Sequence, residues 1–322
     1  MLDVLIIGAG PTGLYAAFLA GLRNLNAAVI ESSAEAGGQL TAVYKDKYIY
    51  DIPGFPKITA KDYIDGQVLQ YERFKDSLPI YYNEEAIDIQ KSDDYFIVKT
   101  NTKTIETKFV LIAHGGGGFV PQKLKIDRQF DNILYFIKDL NQFKDKKIVV
   151  LGGGDSALDW AIDLSNYTND ITLIHRRDEF RALQSSVDTF KSRGHILTPY
   201  MVDDIIGDDQ TANTLILKHA KTHERITIDA DFIIVNYGFV LTKSKLDAWG
   251  IEGDKGLIKV DYTMQTNVEG IYAAGNGIHY PGKVKLISTG QGEAATAIQS
   301  ITTILYPEKT KRFEHSTTLI KD

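Results

Sequence analysis

The sequence contains no cysteine. That absence excludes disulfides, cysteine-ligated iron–sulfur clusters, thiolate zinc sites and any redox dithiol. It also fits the cytoplasm, where disulfides are rare. Long apolar runs are missing too, since no uninterrupted stretch reaches the roughly 20 residues needed to span a bilayer. No basic segment precedes the strand-like opening Leu2-Asp3-Val4-Leu5-Ile6-Ile7, so we read no signal peptide. An excess of positive charge is lacking, and the net charge of −6 argues against nucleic acid or an anionic membrane as the main partner. There is no Ser-His-Asp arrangement, no metal-ligand spacing and no evident acid–base pair.

What is present is an ordinary globular composition, 43% hydrophobic and 24% charged. The 322 residues are enough chain for two domains with packed cores. Two segments share one pattern. The first runs Leu2 to Ile7, then Gly8-Ala9-Gly10-Pro11-Thr12-Gly13, then an apolar helix from Leu14 to Ala20. The second runs Lys147 to Leu151, then Gly152-Gly153-Gly154-Asp155-Ser156-Ala157, then a helix from Leu158 to Leu164. Each meets a second strand, Ala27 to Ile30 or Ile171 to Ile174. This is βαβ twice, which implies parallel sheets with right-handed crossovers.

Each βαβ unit is followed by a strand-rich stretch. In the first, strands are predicted over Glu85 to Ile89, Tyr95 to Thr100, Thr104 to Lys108 and Phe109 to Ile112. In the second they are predicted over Thr214 to His219, Arg225 to Ile228 and Asp231 to Val235. Gly115 to Gly118 and Asn236-Tyr237-Gly238 come after the closing strands and are natural hinges. A last segment reads as strand, turn, strand (Gly270 to Ala274), glycine loop and a helix from Gly292 to Leu305, with a polar tail beyond Pro307.

The two glycine loops lead to opposite charges. In the first, G-x-G-x-x-G suits a pyrophosphate held on a helix N-terminus. Glu31 ends its second strand about 20 residues on, where a carboxylate suits a ribose diol. In the second, Gly152-x-Gly154-x-x-Ala157 leads to His175-Arg176-Arg177, with Arg181 beyond. Arginines at that position suit a 2′-phosphate through bidentate, charge-assisted hydrogen bonds. FAD has a free 2′-hydroxyl and NADPH a 2′-phosphate, so one chain with both sites reads as a flavin enzyme fed by NADPH. A bare glycine turn and a solvated basic turn are the competing readings, and His175 alone serves to cap or pack. Tyr272-Ala273-Ala274-Gly275-Asn276, followed by Gly290-Gln291-Gly292 at a helix start, would bring a second helix N-terminus near the flavin. The implied fold is α/β, with two Rossmann-like, three-layer dinucleotide-binding domains. Residues 1–114 and 242–322 form the FAD domain, with its C-terminal tail, and the NADPH domain, residues 118–238, is inserted into it.

The motifs G-A-G-P-T-G (8–13), G-G-Q-L (37–40), D-I-P-G-F-P (51–56), G-G-G-D-S-A (152–157), H-R-R-D-E-F-R-A (175–182) and Y-A-A-G-N (272–276) span the chain. The set resembles the thioredoxin reductase-like branch of two-dinucleotide-domain flavoproteins. Within that branch the chain is similar to the ferredoxin–NADP⁺ reductases of the thioredoxin reductase type, and it lacks the C-x-x-C dithiol that a thioredoxin reductase carries in its NADPH domain. The resemblance implies that Gly8, Gly10, Pro11, Thr12 and Gly13 hold the FAD pyrophosphate and Glu31 the adenosine ribose. It implies that Gly38, Gln39 and Leu40 line the flavin side, with Tyr44, Ile52, Ala86 and Phe119 also in the FAD site. Tyr50 would stack on one face of the isoalloxazine, and Asn276 stands at the ribityl chain where the family usually has Asp. His315, Ser316 and Thr317 resemble the C-terminal segment that covers the other face, from the partner subunit of a homodimer. For NADPH it implies Gly152, Gly154, Asp155, Ser156, Ala157, His175, Arg176, Arg177 and Arg181.

The expected chemistry is hydride transfer from NADPH to the flavin, then single electrons to a small acidic carrier, ferredoxin or flavodoxin. Lys283, Lys285, Lys309, Lys311 and Arg312 are the candidate positive rim for such a partner. Access of nicotinamide to a flavin face covered by His315 would need a movement of the tail or about the glycine hinges. Two alternatives stay open. One is an NADPH-dependent flavoprotein with another acceptor, such as a quinone, a ferric ion or a monooxygenase substrate, though the F-x-G-x-x-x-H-x-x-x-W segment of flavin monooxygenases is missing. The other is a non-catalytic redox sensor that holds FAD and NADPH as ligands.

Overall fold

Val4 to Ile7 of the strand Leu2–Ile7 form an unbroken apolar run because the strand lies mid-sheet, with both faces covered. The strand pairs in parallel with Ala27–Glu31 on one side (Val4 opposite Ala27) and with Thr104–Ile112 on the other (Ile7 opposite Ile112). These residues belong to a computed structural model. It describes residues 1–42, 45, 47–115, 122–126, 128–137, 139–238, 243–254, 256–308 and 315–320, and for 243–245 and 319 the backbone alone. The chain divides into two compact units, Met1–Gly118 with Leu241–Asp322, and Phe119–Val240. Among the described residues, no helix is long and apolar enough to cross a membrane.

In the first unit Ile80–Tyr82 extends the parallel sheet beyond Ala27–Glu31, and Ile271–Ala273 adds to it beside Thr104–Ile112. Thr104–Ile112 is one continuous strand, which corrects the expected break after Lys108. Its neighbour on one side changes there. Thr104 to Thr107 pair antiparallel with Phe96–Thr100, whereas Val110 to Ile112 pair in parallel with Ile271–Ala273. The change of partner ends the local alternation and mimics a break in the sequence. Helices Pro11–Leu22, Ala60–Glu72 and Ile287–Leu305 pack together. Thr59 caps the second of these, its hydroxyl accepting from the Asp62 N–H at 3.0 Å. At Gly21 an added Cβ would lie 2.3 Å from the Phe74 ring, so the first helix needs glycine where Phe74 packs. The third helix starts at Ile287, five residues before the expected Gly292, and Gly290 lies in its first turn. The β-branched Ile287 and Thr289 and the two glycines hide that start from propensity.

The second unit carries a parallel sheet in which Ile148–Leu151 lies between Ile171–Ile174 and Phe232–Val235. Side chains alternate across it. Ile148, Val150 and Ile234 pack with Leu158, Leu164 and Phe190 of the helices. Val149, Leu151 and Val235 pack on the other side with Leu215 and Leu217. Those leucines belong to an antiparallel layer made by Tyr200–Gly207, Ala212–His219 and Arg225–Asp229. The period of two thus builds three layers, helices, parallel sheet and meander. Each fully buried aliphatic side chain contributes ~1.5–3 kcal/mol. Asn132 ties the layers, donating to the carbonyls of Ala212 and Asp231 at 2.7 and 2.9 Å and accepting from the Ala212 N–H at 2.8 Å. Tyr200–Gly207 is a strand with no counterpart in the sequence pattern. A register shift between Val202 and Asp204 breaks its alternation.

The helix Ile287–Leu305 and the Tyr306 that ends it are fastened to the first part of the chain. Arg23 donates to Gln299 Oε1 from Nε and Nη2 at 3.1 and 2.8 Å. Asp3, buried, accepts from Tyr306 OH at 2.9 Å, from Lys108 Nζ at 3.0 Å and from the Asn26 N–H at 3.1 Å. Burial alone would raise the Asp3 carboxyl, but Lys108, Asn26 and Tyr306 together hold it below the usual range. A lowered folded-state pKa gives stability that is present above the unfolded pKa and lost as pH falls through the folded one. Asp3→Asn is therefore expected to cost about 1 kcal/mol at neutral pH, the exposure of Lys108 limiting the effect. Denaturant titrations across acid pH should show the gap to wild type closing as Asp3 protonates. A gap that widens toward acid would contradict this account.

Candidate functional site

Each glycine of the first loop meets a different demand. Gly8 has φ +105°, and an added Cβ would lie 2.9 Å from the Ala113 carbonyl oxygen. At Gly13 a Cβ would fall 1.8 Å from the Gly8 oxygen, so backbone there packs on backbone. At Gly10 a Cβ would meet nothing within 4 Å. This is the open side of the loop, where a ligand could approach the backbone. Gly10 is also the N-cap of helix Pro11–Leu22, which has no side-chain cap, so the N–H groups of its first turn are left for an anion. Pro11, at the first helical position, has no N–H to lose.

Glu31 is buried and turned toward this loop. Its Oε2 accepts from the Ala9 N–H at 2.7 Å and its Oε1 from the Ser33 N–H at 2.8 Å. Oε1 also accepts from the Ser32 hydroxyl at 3.3 Å. A carboxylate has about four lone-pair sites, so acceptor capacity remains for a ribose hydroxyl, chiefly on Oε2. Gly37, which the sequence left aside, has φ +110° and donates to the Ala9 carbonyl at 2.9 Å. Gly38 has φ +57°, and its Cβ position lies 3.4 Å from Gly10 Cα. The G-G-Q-L segment thus lies over the loop, with Gln39 and Leu40 opening the short helix Gln39–Ala42. Ile52 and Ala86 are buried, whereas Tyr50 is 68% exposed, its ring centroid 6.5 Å from that of Tyr48. Tyr44 and Phe119 lie outside the described residues, as do Gly116 to Gly118.

Three segments converge on Thr12. A Cβ on Gly275 would lie 2.8 Å from Thr12 Oγ1, and one on Gly290 would lie 2.7 Å from that oxygen and 3.1 Å from Gly275 Cα. The glycine loop, the Y-A-A-G-N turn and the first turn of Ile287–Leu305 therefore form one surface, on which Asn276 is exposed. Gln67, on the buried stripe of Ala60–Glu72, donates to the Pro11 carbonyl at 3.0 Å. Gln291 donates to Tyr63 OH at 2.6 Å. The sequence signal for Gln67 was its place in the Ala60, Tyr63, Ile64, Gln67, Tyr71 spacing, which is that of a helix face.

In the second unit Gly152 has φ +148°, and a Cβ there would lie 2.5 Å from the Asn236 carbonyl oxygen and 2.9 Å from Ala157 Cβ. Gly154, the N-cap of helix Asp155–Leu164, is open, with nothing within 4 Å of a Cβ. Ser156 lies in that helix's first turn. A Cβ on Gly153 would lie 2.4 Å from the His175 ring, so His175 packs on the loop. Its Nε2 is 3.2 Å from the Glu179 carbonyl and its ring 5.2 Å from that of Phe180. Burial first, and then Arg176, Arg177 and Arg181, lower its pKa and favour a neutral imidazole. The segment after His175 is fastened to the loop twice. The Arg181 N–H donates to the Gly153 carbonyl at 2.8 Å and the Leu183 N–H to Asp155 Oδ1 at 3.1 Å. Arg176, Arg177 and Arg181 are exposed and make no ion pair among the described residues. Burial pushes the Tyr237 hydroxyl up to about 12 against the pull of Arg176.

The rim lysines divide. Lys285 is exposed, but Lys283 is 4% exposed at its side chain and paired with the buried Glu293, which removes it from the steering set. A lysine in a polar loop gives no sign of that burial. Lys309, Lys311 and Arg312 lie outside the described residues. His315, Ser316 and Thr317 are exposed, and His315 is the N-cap of the short helix Ser316–Leu319.

The chain matches the pyridine nucleotide-disulphide oxidoreductase family over residues 2–298. It is 84% identical to a ferredoxin–NADP reductase of Acholeplasma laidlawii over the full length of both chains. It is 43% identical to the ferredoxin–NADP reductase of Geobacillus thermodenitrificans, covering 98% of this chain and 97% of that one. Among solved structures it is similar to the thioredoxin reductase of Lactococcus lactis, with TM-score 0.82 and 25% identity, covering 95% of this chain and 100% of that one. It is similar also to that of T. acidophilum, with TM-score 0.80 and 26% identity, covering 94% and 98%. The α/β fold, the two glycine loops and these likenesses agree: the chain belongs to the pyridine nucleotide-disulphide oxidoreductase family.

Proposed function

We propose that this chain is an FAD-dependent reductase that takes hydride from NADPH and delivers electrons singly to ferredoxin. The observation that carries the reading is the pairing, in one chain, of a glycine loop ending at a buried carboxylate with one ending at exposed arginines. When bound, the flavin supplies the step from a two-electron hydride donor to a one-electron acceptor. The chain's own part is binding, orientation and electrostatics. The first-turn N–H groups of Pro11–Leu22 hold the FAD pyrophosphate, and Gly10 leaves room for it. Glu31 accepts from the adenosine ribose while Ala9 and Ser33 keep it aimed. Gly38, Gln39, Leu40, Ile52 and Ala86 line the same site, Asn276 faces the ribityl hydroxyls, and the exposed Tyr50 offers a flat ring to stack on.

In the second unit Gly152, Gly154, Asp155, Ser156 and Ala157 form the NADPH pyrophosphate turn. Arg176, Arg177 and Arg181 hold the 2′-phosphate, and His175 braces the turn. With no cysteine in the chain, reducing equivalents leave from the flavin itself, which suits a one-electron carrier. Flavodoxin would fit the same exit. In a homodimer the exposed His315, Ser316 and Thr317 would cover a flavin face of the partner subunit.

Three measurements test this. Anaerobic stopped-flow mixing of the yellow protein with NADPH should bleach the flavin band, and ferredoxin should restore it. Bleaching that ferredoxin does not reverse removes the acceptor, and no bleaching removes the reductase. Gly10→Val should leave apoprotein stability within about 1 kcal/mol of wild type, since only the capping preference changes. It should abolish FAD retention, because the side chain fills the open face of the loop. Retained FAD would move the pyrophosphate elsewhere. Arg176→Ala/Arg177→Ala should lower kcat/KM for NADPH by ~10- to 100-fold through lost charge-assisted bonds, with kcat/KM for NADH little changed. Equal losses with both nucleotides would refute the 2′-phosphate assignment.

A further inference from the structure

Beside the Thr12 surface there is also buried charge outside both glycine loops. Glu293, in the second turn of Ile287–Leu305, is 4% exposed. Its Oε2 accepts from the Gly275 N–H at 2.9 Å. Its Oε1 accepts from Tyr280 OH at 2.7 Å and from Lys283 Nζ, whose side chain is itself 4% exposed. Burial, and then the Glu293 carboxylate, push the Tyr280 hydroxyl up to about 12, so it stays a donor at neutral pH. A buried ion pair is a poor way to gain stability, because desolvation offsets most of the attraction. What it does supply is direction, since both oxygens of the carboxylate are committed in fixed geometry.

Gly275 is the residue so held. It has φ +89°, carries the exposed Asn276, and leaves no room for a Cβ against Thr12. We propose that Glu293 is a positioning residue for the flavin cofactor. Anchored by Lys283 and Tyr280, it fixes the Gly275–Asn276 turn against Thr12 and so shapes that end of the FAD site. Lys283 neutralises the carboxylate and Tyr280 sets its orientation. The inference rests on the reading that the first unit holds FAD.

The test is a set of substitutions read by FAD titration of the apoprotein, using flavin fluorescence quenching and the absorption band shape, with apoprotein melting beside it. Glu293→Leu/Lys283→Met removes both charges and the acceptor but keeps apolar volume, a change that buried ion pairs tolerate. Glu293→Gln/Lys283→Met removes both charges but keeps an amide oxygen for the Gly275 N–H. The leucine pair should bind FAD about tenfold or more weakly than the glutamine pair, the loss of one well-placed hydrogen bond amplified by the freed turn. Its bound flavin should also show a shifted band. Glu293→Asp keeps the ion pair but retracts the carboxylate by one methylene, so it should fold like wild type and bind FAD more weakly. A merely structural role would move the melting temperature and leave affinity and band shape alone. Equal affinity and spectra in the two double variants, or wild-type binding in Glu293→Asp, overturn the proposal. A wild-type apoprotein that takes up no FAD overturns the cofactor reading instead.

Discussion

The contact on which the first unit depends is backbone against backbone, where the helix after Leu2–Ile7 comes down on the Gly8 carbonyl. A side chain at Gly13 would sit 1.8 Å from that oxygen, and neither partner can move without dismantling the strand or the helix. With that approach fixed, the helix N-terminus is held at the carboxyl edge of the sheet, and other segments take their position from it. Glu31 and Gly37 bond to Ala9, Gly38 lies over Gly10, and Gly275 and Gly290 close on Thr12. A site assembled from five parts of the sequence thus has one reference point.

The two units solve the same packing problem with different chemistry at the next strand's end. In the first the acid turns inward, is buried and bonds to the loop it serves. That suits a neutral diol, which asks for acceptors but not for charge. In the second the arginines turn outward, and the segment that carries them is fastened through the Arg181 and Leu183 N–H groups. That suits a phosphate dianion, whose affinity for guanidinium comes from charge and fork geometry. The residue between the first two motif glycines also differs: it is Ala9 in the first loop and Gly153 in the second, where the His175 ring takes the space of a side chain.

The parts legible in the sequence were those governed by local rules. Leu2–Ile7, Ile171–Ile174 and both glycine turns come from apolar runs next to residues that alone tolerate the turn. Less legible were features set by distant partners. Thr104–Ile112 looked like two strands because its neighbour changes halfway, and Tyr200–Gly207 lost its alternation to a bulge. Glu293 stands among small residues in G-Q-G-E-A-A, and only its setting on a helix face would have marked it as buried. Lys283 looked like any surface lysine, since nothing local reveals a carboxylate ten residues away folding back on it.

The first unit is discontinuous, and this bears on how the chain is made. Its sheet needs Ile271–Ala273 beside Thr104–Ile112, and its first residues are held by Tyr306 and Gln299. The second unit is one continuous stretch whose layers close through short connections, so it can consolidate while the rest is still being synthesised. Once folded, it shortens the effective loop that the flanking halves must close, which lowers the entropic cost of bringing them together. The nested arrangement therefore fixes the order in which the parts become available. The inserted unit has all its strands first, and the outer unit's sheet and helix layer can be completed only once Ile271–Ala273 and Ile287–Leu305 have been made.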